Sequence, residues 1–172
     1  MVHILLFEPE KPANTGNIIR SCQSFNATLS IIGKPSFDMS EEGFKRAKLD
    51  YGINQTINRY STIDEFLSSH DINSIYFVTR YGNNIYSSQD YSSIKSDIYF
   101  LFGKESSGLP LSILNKYQDR CIRIPIDFAS RSLNLSNCVA IILSEVARQQ
   151  NFFSLSIKEE IKTPDYIKKK NR

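Results

Sequence analysis

The sequence predicts an α/β fold, a parallel sheet with helices on both faces. Three observations carry this. Short apolar runs recur at Val2–Phe7, 29–34, 74–79, Ile98–Phe102 and 121–126. Segments with helical spacing or helix-start signals lie between them, so that strand and helix alternate. Polar loops follow the strands at 8–17, 79–84, 103–108 and 127–137, and the carboxyl ends of parallel strands are where such sheets bind ligands.

The first strand, Val2–Phe7, is β-branched and aromatic and stops at Glu8-Pro9. A loop of turn residues and helix N-caps is predicted over 10–17, after which Ile18, Cys22 and Phe25 form a helical apolar stripe. Arg20 falls about 200° around the helix from Ile18 and points away from that stripe. The second strand, 29–34, exits through Gly33-Lys34-Pro35. Ser40, Glu41 and Glu42 mark a helix start. Lys45-Arg46-Ala47-Lys48 near its end either complements the helix dipole or touches an anionic ligand.

Thr62 and Glu65 make a capping box for a short helix ending at Ser69. The third strand, 74–79, opens into the polar turn Arg80-Tyr81-Gly82-Asn83-Asn84 and a Ser- and Tyr-rich connection, the least structured part of the prediction. Ile98–Phe102 is the fourth strand, and a short helix is expected beyond Pro110. The fifth strand is 121–126, and the last long helix is 134–150, with Leu135, Val139, Ile142 and Val146 as its stripe.

A chain of 172 residues fits one domain, here 1–157, followed by a basic tail, 158–172. The tail holds the whole net charge of +3, with six basic residues against three acidic ones. Such a segment either steers a polyanion such as RNA or is a solvated end. Cys22, Cys121 and Cys138 form no Cys-x-x-Cys pair, which points to a reducing cytoplasm. No apolar run approaches the roughly 18 residues of a membrane span, so no membrane partner is expected.

Several chemistries are excluded by what the loops lack. Gly103 to Gly108 imitates a phosphate loop, but Leu109 and Pro110 stand where its lysine and Ser/Thr must be. The loop is then a turn that needs glycine dihedrals or one that contacts a ligand. There is no Gly-x-Ser-x-Gly elbow, no dinucleotide fingerprint, and no His, Cys or carboxylate cluster with metal-ligand spacing, so no metal is expected. What remains is small polar groups, Arg20 and Glu105. That inventory suits transfer of an already activated group, in which alignment does most of the catalysis.

Three of the loops together resemble the SPOUT, or α/β-knot, RNA methyltransferases, closest to the small tRNA 2′-O-methyltransferases that act on the cytidine or uridine at position 34. The first motif is Glu8-Pro9-Glu10-Lys11-Pro12-Ala13-Asn14-Thr15-Gly16-Asn17-Ile18-Ile19-Arg20. The second is Phe102-Gly103-Lys104-Glu105-Ser106-Ser107-Gly108-Leu109-Pro110. The third is Ile124-Pro125-Ile126 with Ser130-Arg131-Ser132-Leu133-Asn134-Leu135-Ser136-Asn137.

The resemblance implies S-adenosylmethionine as methyl donor, a deep C-terminal trefoil knot, a homodimer, and the tRNA anticodon stem-loop as partner. It implies cofactor contacts at Val78, Thr79, Gly103, Ile124, Ser132 and Leu133. Catalytic positions map to Arg20, Ser132 and Asn134, and motif support to Asn14 and Glu105. A guanidinium stays protonated, so Arg20 is expected to orient the ribose or phosphate and stabilise the developing alkoxide rather than act as base; a solvated helix arginine is its other reading. Lys104 replaces the family's usual proline, and Ser106-Ser107 replaces a Thr-Arg pair. Other outcomes compatible with the fold are methylation at another tRNA or rRNA site, or RNA binding without catalysis.

Overall fold

The structure is a computed structural model that describes residues 1–40, 42 and 56–162. Seven parallel strands form one sheet: β1 (Val2–Phe7), β2 (Thr28–Ile32), β3 (Asn58–Tyr60), β4 (Ile75–Val78), β5 (Asn84–Ile85), β6 (Ile98–Phe102) and β7 (Cys121–Arg123). Their order across the sheet is β3-β2-β1-β6-β4-β7-β5. Among the described residues four α-helices accompany them: α1 (Pro12–Ser24), α2 (Ile63–Ser68), α3 (Leu111–Lys116) and α4 (Leu135–Gln149).

Because strand side chains alternate between faces, the sheet has two cores. On one face Ile4, Leu6, Leu29, Ile31, Phe100 and Phe102 pack against Ile18, Ile19 and Cys22 of α1 and Val139, Ile142 and Val146 of α4. On the other, Leu5, Ile32, Phe77 and Leu101 pack against Ile63 and Phe66 of α2 and Leu114 of α3. Burying each such side chain contributes about 1.5–3 kcal/mol, so the strands that read as continuous apolar runs are those covered on both sides.

Several expectations need correction. The sheet has two strands that the apolar pattern does not reveal, β3 and β5. Asn58-Arg59-Tyr60 is an exposed polar edge and Asn84-Ile85 only two residues long. The expected loop over 10–17 is mostly helix, since α1 begins at Pro12, whose fixed φ and missing N–H suit the first helical position. No side chain caps it, its N-cap being Lys11. The fifth expected strand is cut to Cys121–Arg123, and Pro125, which offers no N–H to a ladder, follows.

The Ser- and Tyr-rich connection is anchored rather than loose. Tyr91 is fully buried, its N–H donates to Gln149 Oε1 at 2.7 Å, and its carbonyl accepts from Gln150 Nε2 at 2.9 Å. The capping box at α2 is present in shifted form. Glu65 N–H donates to Thr62 Oγ1, and the Glu65 carboxylate accepts from the N–H of Ser61. The helix expected after Ser40, with Lys45 to Lys48, lies outside the described residues, as does the tail beyond Lys162.

Candidate active site

The carboxyl ends of β4, β6 and β7 and the start of α4 surround one cavity of about 540 Å³. That is the size of a small-ligand site. Its wall includes Val78, Thr79, Gly103, Glu105, Ile124, Ser132, Leu133, Asn134 and Asn14, so every site residue expected from the sequence except Arg20 lines it. Arg20 lies on the exposed side of α1 and does not line this cavity.

Glu105 ties the second loop to the first. One of its oxygens accepts the Glu10 N–H at 2.9 Å, and the other accepts the Lys11 N–H at 3.2 Å and Asn14 Nδ2 at 3.0 Å. In return the Glu10 carboxylate accepts the N–H and the hydroxyl of Ser106, at 2.8 and 2.7 Å. These bonds hold the Glu10 carboxyl below its ordinary range. With three donors on it, the Glu105 carboxylate is committed to the scaffold and is badly placed to take a proton from a substrate.

Asn14 then passes the connection to the third loop, its Oδ1 accepting from Asn134 Nδ2 at 2.9 Å. Asn134 is the N-cap of α4, where its Oδ1 accepts the Ser136 N–H at 2.8 Å and the Ser136 hydroxyl at 2.7 Å. Glu105, Asn14, Asn134 and Ser136 thus form one hydrogen-bonded row through all three motif loops. Asn14 and Ser136 are buried, so a break in the row would strand polar atoms away from water.

Glycine is required where backbones meet. A methyl on Gly103 would overlap the Gly108 and Leu109 backbone, since the loop folds back on itself through paired Lys104 and Gly108 bonds of 3.1 and 2.9 Å. The region 103–108 is therefore a closed turn against the cavity, not an open phosphate cradle. Lys104, the departure from the motif, pairs with Glu8. Glu8 itself has a left-handed φ of 43° and lies against Gly33, where a Cβ would come within 2.6 Å of Glu8 Cγ.

The fit to S-adenosylmethionine can be judged from the wall. Val78, Leu109, Leu114, Ile124, Leu133 and Leu135 supply apolar residues to the wall, and Thr79, Gly103, Ser132 and Asn134 supply small and polar ones. An adenosine needs this combination of apolar faces and nearby polar groups. Cys138 also lines the cavity, but burial pushes its thiol up to about 11, so it is not a thiolate at neutral pH.

Sequence reasoning put Lys11, Arg80, Tyr81, Ile126 and Arg131 in its ligand-facing loops and motifs without naming them as site residues, and it missed Leu114 and Cys138 as lining residues. Arg80 and Tyr81 were accessible to it, because they directly follow the end of a predicted strand. Cys138 was not, since a helix stripe does not reveal which of its edges meets a cavity.

Comparison with known proteins places these features among relatives. Residues 1–144 match the family described as SpoU rRNA Methylase. A Listeria monocytogenes serotype 4b (strain F2365) protein with the provisional name tRNA (cytidine(34)-2′-O)-methyltransferase is 42% identical over 97% of this chain and 96% of its own. The Yersinia pestis tRNA (cytidine(34)-2′-O)-methyltransferase is 36% identical over 92% of this chain and 100% of its own.

Among solved structures, a provisionally named RNA methyltransferase from Bacillus anthracis superposes with a TM-score of 0.85 at 40% identity, covering 92% of this chain and all of that one. A structure described in terms of 2′-OH methylation of C/U34 on tRNA gives 0.75 at 30% identity, over 88% and 91% of the two chains. An AdoMet-bound rRNA methyltransferase from Sinorhizobium meliloti gives 0.72 at 25% identity, over 86% of this chain and 56% of that one.

Proposed function

This chain belongs to the SpoU rRNA methylase family, and on that premise we propose that it transfers the methyl group of S-adenosylmethionine to the ribose 2′-oxygen of nucleotide 34 in tRNA. The observation that carries the reading is identity along nearly the whole length of relatives named for this reaction. The intact row from Glu105 to Ser136 supports it, because it sets the three motif loops around one cavity.

The bound donor supplies a methyl group already activated on a sulfonium. The protein's task is alignment, which can be worth about 7–11 kcal/mol of barrier. The main chain at Thr79, Gly103, Ile124 and Leu133, with the Val78 side chain, holds the adenosine and methionine parts. Ser132 and Asn134 face the acceptor. Arg20 orients the ribose or phosphate and stabilises the alkoxide.

The reading includes a homodimer. Arg20 stands away from its own cavity, and a second copy packed on the exposed face of α1 is the arrangement that carries it to an acceptor. The trefoil knot belongs to the same reading. It rests on the resemblance of the three motif loops to that family. The partner is the anticodon stem-loop, met in the cytoplasm, with the basic tail adding RNA affinity.

The test is to incubate tRNA from cells lacking the protein with labelled S-adenosylmethionine and the purified chain, then locate the methyl group by nuclease mapping and mass spectrometry. The expected product carries it on the ribose of nucleotide 34. Methylation elsewhere, or tRNA binding without transfer, overturns the reading.

A further inference from the structure

The wall of the donor cavity is cationic. Its charged lining residues are Lys11, Arg80, Lys104 and Arg131 against one carboxylate, Glu105, whose oxygens already accept from three donors. S-adenosylmethionine is itself a cation, because its sulfonium and its ammonium outweigh its one carboxylate. Like charges repel across a cavity of this size, since a partly dry site screens them less than water does. The spent product, S-adenosylhomocysteine, has a neutral thioether in place of the sulfonium and no net charge.

Among the described residues Lys104 is the one of these four cations with an ion-pair partner. Its Nζ pairs with the Glu8 carboxylate and stands 5.6 Å from the centre of the Phe7 ring. The pairing follows from the sheet. Leu6 and Phe102 are register partners in β1 and β6, and Glu8 and Lys104 each stand two residues beyond them.

Both partners are held by main chain. Lys104 and Gly108 exchange two bonds, of 3.1 and 2.9 Å, and the Glu8 N–H donates to the Ile32 carbonyl at 2.9 Å. Glu8 keeps a left-handed φ of 43°, uncommon for any residue but glycine and maintained only where the surroundings impose it. Its Cγ occupies space that a Cβ at position 33 would invade, so Gly33 is what leaves room for this side chain.

Glu8 does not itself line the cavity. Its carboxylate therefore cancels the Lys104 charge without offering the donor a contact. Removing it changes the field in the cavity and leaves the lining residues the same.

We propose that Glu8 is a specificity-determining residue for the methyl donor: by neutralising Lys104 at the cavity wall it raises the affinity for cationic S-adenosylmethionine relative to uncharged S-adenosylhomocysteine. The inference rests on the methyl-donor reading above and concerns that same site.

The experiment is calorimetry on the full chain with both compounds, for wild type, Glu8→Gln, Lys104→Met and the double variant. In Glu8→Gln the ammonium loses its carboxylate, and the ratio of donor to product affinity is expected to fall about three- to tenfold, the scale of one charge about 10 Å away in a partly screened site. The fall should shrink in high salt. Lys104→Met leaves the Glu8 carboxylate uncompensated and should move the ratio the other way. The double variant should return it close to wild type.

Equal weakening of both compounds in Glu8→Gln, with the ratio unchanged, makes the pair a structural clasp and overturns the inference. So does a double variant whose ratio stays as low as that of Glu8→Gln. Should Glu8→Gln fail to fold, Lys104→Met decides in its place, an unchanged ratio overturning the inference. No binding of either compound by wild type overturns the underlying reading instead.

Discussion

Asn134 Nδ2 donates to Asn14 Oδ1 at 2.9 Å, a bond that spans 120 residues of sequence and joins the start of α4 to the first turn of α1. Each partner has a second task, since Asn14 also holds Glu105 and Asn134 also caps its helix. Substitution at either position therefore acts on two elements at once.

Asn134→Ser keeps an oxygen for the cap but cannot reach Asn14, whereas Asn134→Ala loses both. Chemical denaturation should show Asn134→Ala less stable than Asn134→Ser by about 1 kcal/mol, the usual value of an N-cap. Both should lose methyl transfer. Equal stability of the two would remove the cap from the account.

Glu105→Gln preserves shape but turns one acceptor into an amide donor facing N–H groups. A loss of about 1–3 kcal/mol in unfolding free energy is expected, together with weaker S-adenosylmethionine binding by calorimetry. A variant as stable as wild type would show that the three bonds to Glu105 do not hold the loops.

Gly103→Ala places a methyl into the Gly108 backbone. The closed turn must open, and a cost of about 3 kcal/mol with loss of donor binding is expected. Unchanged donor binding would show that this turn does not shape the cavity.

Arg20→Ala is expected to leave donor affinity within twofold of wild type, since Arg20 does not line the cavity, while kcat falls at least about tenfold. Single-turnover kinetics and calorimetry check the two separately. Undiminished turnover would remove Arg20 from the reaction.

Glu10 supplies a pH dependence. Its folded value is held below the ordinary 4.5 by the Ser106 bonds, so its stabilising contribution is fully present above pH 4.5 and is lost as the pH falls through the lower folded value. The thermal midpoint of Ser106→Ala should therefore lie below that of wild type at neutral pH and converge with it in acid. A gap independent of pH would refute the role of the Glu10 charge.

Much of this architecture was legible in the sequence because the central strands are covered on both faces and have to be apolar throughout. Val2–Phe7 and Ile98–Phe102 announce themselves in this way. The edge strands do not, since Asn58-Arg59-Tyr60 needs only backbone bonds on one side. Tyr91 was hidden for a different reason: its ring packs on Tyr76 and Phe100 and its main chain bonds to Gln149 and Gln150, nearly sixty residues away, and no local pattern records such pairings.

The site was legible as three loops through their resemblance to known motifs. A smaller neighbouring cavity lined by Arg80, Arg123 and Asp127 was not, because Arg80 follows β4 whereas Arg123 ends β7 and Asp127 follows it, and the two segments meet only once β4 and β7 lie side by side.

The strand order also constrains how the protein is made. β1 is the first strand synthesised, and β2 can pair with it early, but its other neighbour, β6, comes some ninety residues later. The last partner in the hydrogen-bonded row, Ser136, follows later still. A nascent chain on the ribosome therefore cannot assemble the donor cavity until α4 has emerged, and translation that stops before α4 yields no partly active enzyme.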